Sequence, residues 1–142
     1  MFSISHAQVC KDFHKSEDCY VYVPLDRDFK IYNQAKSMQV DIQKPVIYKI
    51  ILFGGKDYIV GVCAEANYYR KIRLRIIDSI TKKVLYDNKD ADFIESFGFT
   101  VTKTQPLDME VTVLSDDKQA SSKKICVGFQ ILYSNTVAST KK

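Results

Sequence analysis

The chain is poor in the residues from which active sites are usually built. Histidine occurs twice in 142 residues, glycine five times and tryptophan not at all. No glycine-rich phosphate loop, pair of catalytic carboxylates or Ser-His-Asp arrangement can be assembled convincingly. No window approaches the roughly 18 to 20 uninterrupted apolar residues of a membrane helix. The net charge is a mild +4 with lysine and arginine spread along the whole length, so the basic stripe of a nucleic-acid binder is missing. Internal repeats, low-complexity tracts and dividing linkers are missing too. What is left, at 46% hydrophobic and 27% charged residues, has the composition of one globular domain long enough to bury a core.

From residue 36 onward the dominant period is two. In "KIRLRIID" the apolar Ile72, Leu74 and Ile76 alternate with Lys71, Arg73 and Arg75, the pattern of a strand with one wet face. "FGFTVTKT" repeats it through Phe97, Phe99 and Val101, and "LDMEVTV" through Leu107, Met109, Val111 and Val113. Three runs, "VIYKIILF" (46–53), "DYIVGVCA" (57–64) and "ICVGFQILY" (125–133), are apolar on both faces and read as central strands. Gly54-Gly55-Lys56-Asp57 reads as a hairpin loop between the first two. With further turn signals at "DSITKK", "DNKD", "TQP" and "SDDKQASSKK", the chain is expected to be all-β. The fold expected is an antiparallel, jelly-roll-like β-sandwich of seven or eight strands. Residues 36–135 form that domain, residues 8–35 an irregular or short helical segment packed on it, and 136–142 a frayed tail.

The first residues, "MFSISHAQ", carry Ser5 and Ala7 at the −3 and −1 positions of a signal-peptidase site. Residues 1–7 read either as the remnant of a signal peptide or as a terminus without significance. Four cysteines, at 10, 19, 63 and 126, suit two disulfides in a secreted or periplasmic protein. "GVC" at 61–63 and "CVG" at 126–128 match across an antiparallel ladder if facing residue numbers sum to 189. That register sets Cys63 against Cys126 within disulfide reach, a bridge worth roughly 4 kcal/mol in the chain-entropy model. Cys10 and Cys19 then pair by default. The alternative leaves the thiols as small core residues.

Sharper chemistry is weighed against these readings. Cys10, His14 and Cys19 offer three soft ligands to zinc, which wants a fourth and closer thiol spacing. Cys63 as a nucleophile needs a base and an exposed thiol, and an aliphatic strand interior offers neither. The acidic turn holding Asp87, Asn88, Asp90, Asp92 and Glu95 has oxygen enough for calcium, but lacks the glycine of an EF-hand loop and has Phe99 where the bidentate glutamate belongs. No other cofactor is implied. Tyr68, Tyr69 and Arg70 sit at an expected loop tip and suit a protein or glycan contact. Lys71, Arg73 and Arg75 form a basic strand face that could meet an anionic partner or simply be solvated.

The run "YKIILFGGKDYIVGVCAEA", then "KIRLRIIDSITKKVLYDN" and "SFGFTVTKTQPLDMEVTV", resembles small exported bacterial β-sandwich domains of the pre-peptidase C-terminal and GOLD-like type over residues 45–114. The resemblance implies a non-catalytic module that engages partners or assists export. The reading is therefore an exported sandwich that binds protein or glycan at the cell envelope or outside the cell. The alternative is an assembly subunit that associates through a sheet face or edge. A metal-binding or thiol-dependent protein comes third.

Overall fold

A computed structural model describes Cys10, Pro24 and residues 26–32, 36–64, 71–115 and 124–135. Among these residues the strands are β1 (Lys30–Ile31), β2 (Lys36–Asp41), β3 (Val46–Leu52), β4 (Lys56–Ala64), β5 (Lys71–Asp78), β6 (Val84–Asp87), β7 (Ser96–Val101), β8 (Gln105–Leu114) and β9 (Lys124–Ser134), with a 3-10 turn at Asn88–Ala91. They form two antiparallel sheets packed face to face. The first runs β1-β9-β4-β7, with β2 also paired to β9, and the second β3-β8-β5-β6. This is the expected all-β sandwich, with two-residue β1 the addition to the expected count.

Period two places the core. Ile72, Leu74 and Ile76 of β5 and Leu107, Met109, Val111 and Val113 of β8 turn inward from the second sheet. They meet Tyr58, Val60 and Val62 of β4 and Ile125, Val127, Phe129 and Ile131 of β9. Tyr48 stacks on Phe129 across the gap, ring centroids 4.9 Å apart. β4 and β9 are buried on both faces, as central strands should be.

β3 corrects an expectation. It is an edge strand whose only ladder partner among the described residues is β8, and Ile47 and Ile51 are about half exposed at 50% and 48%. Its largely apolar composition suggests a central position, but the run holds Lys49 and isoleucine tolerates an exposed edge as well as a buried centre. The Gly54-Gly55 turn is likewise no hairpin, because β3 and β4 belong to different sheets. Gly55 adopts φ +81° there. A Cβ at Gly54 would come within 2.6 Å of the Thr102 carbonyl oxygen, so only glycine lets this corner approach the β7–β8 connection. The Tyr58 hydroxyl fastens the corner, accepting from the Phe53 N–H at 2.9 Å and donating to the Phe53 carbonyl at 3.1 Å.

Candidate binding site

The outer face of the first sheet carries the cysteines. Residues 58, 60, 62 and 64 of β4 face the core, so Cys63 points outward, as does Cys126 on neighbouring β9. Cys126 is joined to Cys10, with Cα atoms 5.3 Å apart. Cys63 is also disulfide-bonded, its partner lying outside the described residues, and no free cysteine occurs among those described. The expected Cys63–Cys126 bridge is thus overturned. β4 and β9 are neighbours as inferred, but Cys63 faces Gly128, and Cys126 pairs on its other side with Gln39. A shift of two residues keeps every side chain on its own face, so the short palindrome could not determine the register. The disulfide instead ties Cys10, from the N-terminal part of the chain, to the sheet's outer surface.

On the same outer face, between β7 and the segment leading into β1, lies a groove of about 600 Å³. Its floor is the outer face of β4 and β7: Asp57 and Ile59, with Ser96, Gly98 and Thr100. Pro24, Arg27 and Phe29 form one wall, and half-exposed Ile94 closes an end. Arg27 is held in place by an ion pair to Asp57, Nη2 to Oδ2 at 3.0 Å, and its guanidinium lies over the Phe29 ring, 5.0 Å from the centroid. The Thr100 hydroxyl donates to the other Asp57 oxygen at 2.5 Å. A buried carboxylate with both oxygens occupied is a fixed anchor, so one wall and the floor are locked together. A Cβ at Gly98 would meet nothing nearer than the Tyr58 carbonyl oxygen at 3.7 Å. Glycine there leaves the groove open by choice of side chain and not by backbone necessity.

The residues singled out from sequence lie elsewhere. Tyr68, Tyr69 and Arg70, as well as Cys19 and His14, fall outside the described residues. Lys71, Arg73 and Arg75 stand on the outer face of the second sheet, and their cations are engaged. Arg73 reaches Asp87 by two parallel hydrogen bonds, Nε at 3.1 Å and Nη2 at 2.6 Å. Arg75 donates to Glu110 at 2.8 Å, and the Lys71 ammonium sits 4.7 Å from the Phe93 ring centroid. This face is a ladder of alternating charges more than an open basic patch.

Contacts of this kind occupy two of the five oxygen donors considered for calcium. The hydrogen bond from Arg73, reinforced by the Lys89 N–H and opposed by partial burial, holds the Asp87 carboxyl below its ordinary pKa. Asn88 is fully buried. Its Oδ1 accepts from the Leu74 N–H at 2.9 Å, and its Nδ2 donates to the carbonyls of Ile72 at 2.9 Å and Ile94 at 3.0 Å. Asp90 and Asp92 remain exposed. No group of three or more His, Cys, Asp or Glu side chains is placed to hold a metal among the described residues.

Sequence reasoning missed Arg27, Asp57 and Gly98. Arg27 and Asp57 meet across 30 residues of chain, a pairing no local pattern announces. Asp57, which the sequence reads both as the end of the Gly54–Asp57 loop and as the start of the 57–64 strand, is the second residue of β4. Gly98 was legible as a wet-face position of an alternating strand, though not as the floor of a groove.

No family model matches the chain, and no curated protein matches it. Among solved structures it is similar in fold to Aeromonas hydrophila PliG, a periplasmic lysozyme inhibitor of g-type lysozyme, with TM-score 0.50 and 7% identity over 80% of this chain and 92% of that one. At that identity the likeness is one of architecture.

Proposed function

We propose that this protein is an exported, non-catalytic sandwich that works by binding another protein, with the groove over β4 and β7 as its contact surface. The observation that carries this reading is the construction of the groove: an arginine wall locked by Asp57 onto a glycine floor, on the face to which Cys10 is bonded. Such a recess is rigid before any partner arrives, which lowers the ordering cost of association. Disulfide bonding at Cys10, Cys63 and Cys126 favours an oxidising compartment. The resemblance of residues 45–114 to exported modules points the same way, and PliG is an instance of this architecture serving as a periplasmic inhibitor of another protein.

Site-specific photocrosslinking tests the reading. A photoreactive residue at Ser96, in the groove, should yield one discrete protein adduct in the cell envelope or culture medium, and Gly98→Phe should abolish it while leaving the melting temperature within about 2 °C. The same probe at Lys83, remote from the groove, should give none. Equal labelling at both positions, or an adduct that survives Gly98→Phe, rejects the groove as the contact. Tyr68→Ala with Tyr69→Ala asks whether that tip shares the partner: it does if adduct yield falls with the fold intact.

A further inference from the structure

Three connections meet at one end of the second sheet. β3 ends there at Leu52, β8 begins opposite it at Gln105, and β5 ends at Asp78 opposite Leu107. The β3–β4 corner, the β7–β8 connection and the β5–β6 turn therefore share one rim. Apolar side chains stand out on it. Ile80, in the β5–β6 turn, is 77% exposed, and Ile51 and Phe53 are each 48% exposed. A single exposed apolar residue is ordinary on a protein surface, but a group gathered on one rim marks a contact.

The supports of these side chains are fixed. Asp78 Oδ1 accepts from the Ile80 N–H at 2.8 Å and the Thr81 N–H at 3.0 Å, and the Asp78 N–H reaches the Lys83 carbonyl at 2.9 Å. The Gly54 N–H donates to the Thr104 hydroxyl at 3.0 Å, which ties the Phe53 corner to the β7–β8 connection.

The accessible charge on the rim has one sign. None of residues 53–55, 79–83 and 102–104 is acidic, and Lys82, Lys83 and Lys103 are exposed. Lys49 joins them from β3. Its ammonium lies 3.3 Å from Asp108, and that of Lys82 lies 3.5 Å from the same carboxylate. Asp108 is buried beneath the two lysines, where it also accepts the Ser79 hydroxyl at 2.6 Å, whereas both lysine side chains stay largely exposed. Lys82 adopts φ +64°, the left-handed conformation that glycine or asparagine takes most readily in a turn. A lysine is thus kept there against backbone preference. Exposed acids lie elsewhere: Asp90 and Asp92 beyond the other end of β6, and Asp26 and Asp28 on the segment that walls the groove.

We infer that this rim docks on an anionic lipid bilayer, with Phe53 and Ile80 entering the interfacial layer and Lys49, Lys82, Lys83 and Lys103 meeting the headgroups. Charge complementarity calls for an anionic partner. The placement of the apolar groups favours a membrane over an acidic protein. They are carried separately on two connections, so a protein would need a hollow shaped for each, whereas a bilayer receives protruding side chains without one. Asp90 and Asp92 turn the far end of β6 away from the same surface. Neither Phe53 nor Ile80 lines the groove, so the inference is independent of the protein partner proposed for it.

Flotation of the full, disulfide-intact chain with lipid vesicles tests the inference. Phosphatidylcholine vesicles containing about one third phosphatidylglycerol should carry the protein at low salt, and phosphatidylcholine alone should not. Phe53→Ser with Ile80→Ser should weaken binding by about tenfold or more. Lys83→Glu and Lys103→Glu should each weaken it about fivefold, whereas Ile47→Ser, near the other end of β3, should change nothing. The chain has no tryptophan, so Ile80→Trp supplies a single reporter. Its emission should shift to the blue on anionic vesicles and be quenched by brominated acyl chains, and that of Ile47→Trp should do neither. No flotation with anionic vesicles, flotation that survives Phe53→Ser with Ile80→Ser, or flotation without a blue shift of Ile80→Trp would overturn the proposal. Binding to soluble polyglutamate but not to vesicles would overturn it in favour of an acidic protein.

Discussion

Arg73 and Asp87 face each other on the outer surface of the second sheet, their side chains joined by two parallel hydrogen bonds of 3.1 and 2.6 Å. The pair holds the short edge strand β6 to β5, because Asp87 also lies opposite Arg75 in the ladder and accepts from the Lys89 N–H at the start of the 3-10 turn. Both side chains are only partly buried, so solvent screening limits the gain. Asp87→Asn should cost about 1 kcal/mol. The sign with pH follows from the lowered carboxyl pKa. Folded Asp87 binds its proton less tightly than the unfolded chain, so its contribution is complete above the unfolded value of 3.8 and is lost as pH falls through the lower folded one. Urea midpoints between about pH 5 and pH 2 should therefore fall more steeply for the wild type than for Asp87→Asn. Parallel curves would mean that the pair contributes nothing.

Asn88, one residue on, is the more demanding position. Its amide satisfies one backbone N–H and two carbonyls at a fully buried site. Asn88→Ala leaves those groups without partners and should cost about 3 kcal/mol. Asn88→Asp keeps the shape, but loses the donor and buries a carboxylate against two carbonyl oxygens. Its stability should fall as pH rises through neutrality, the opposite of the Asp87 dependence. Thermal melts at about pH 4 and pH 8 separate the two cases; a variant equally stable at both would show that the site admits water.

Much of this fold is legible in the sequence because the pleat forces it to be. Ile72, Leu74 and Ile76 can share the core only if Arg73 and Arg75 do not, and that alternation needs no tertiary knowledge. Edge and centre are harder to separate. β3 carries isoleucine on both faces and is still an edge. Register escapes for a related reason. Sliding β9 against β4 by two residues exchanges Gly128 for Cys126 opposite Cys63 without moving any side chain to the other face, so hydrophobic pattern is silent about the choice. The groove was the least visible feature, since it depends on Arg27 meeting Asp57 and on what a glycine leaves empty.

The disulfide between Cys10 and Cys126 spans a sequence separation of 116, and in the chain-entropy model a closed loop of that size contributes at most about 5 kcal/mol. The second bridge, at Cys63, shortens the effective loop and lowers that figure. Cys10→Ser with Cys126→Ser should therefore lose a few kcal/mol by urea unfolding, with a larger m-value because the unfolded chain is freer. A Cys10→Ser, Cys126→Ser variant as stable as the wild type would place the origin of stability in the sheets alone and make the bridge a positioning device for the N-terminal part of the chain.

Tyr48 offers a test in the opposite direction, where removing an atom should help. Its ring stacks on Phe129 in the centre of the sandwich, and its buried hydroxyl has no hydrogen-bond partner among the described residues. A polar group left unpaired in the core costs about 1 to 3 kcal/mol, so Tyr48→Phe should be neutral or stabilising, unlike most changes at a site only 3% exposed. Burial also pushes the phenol pKa from 10.0 up to about 12. Above pH 10 the unfolded chain then releases this proton before the folded one does, so stability falls as pH rises from 10 towards 12. Tyr48→Phe removes that slope while keeping the stack. Denaturant midpoints for the two proteins should therefore lie closest near neutral pH and diverge in alkali, with the phenylalanine variant the more stable; a variant weaker than wild type at neutral pH would mean that the hydroxyl has found a partner in solution.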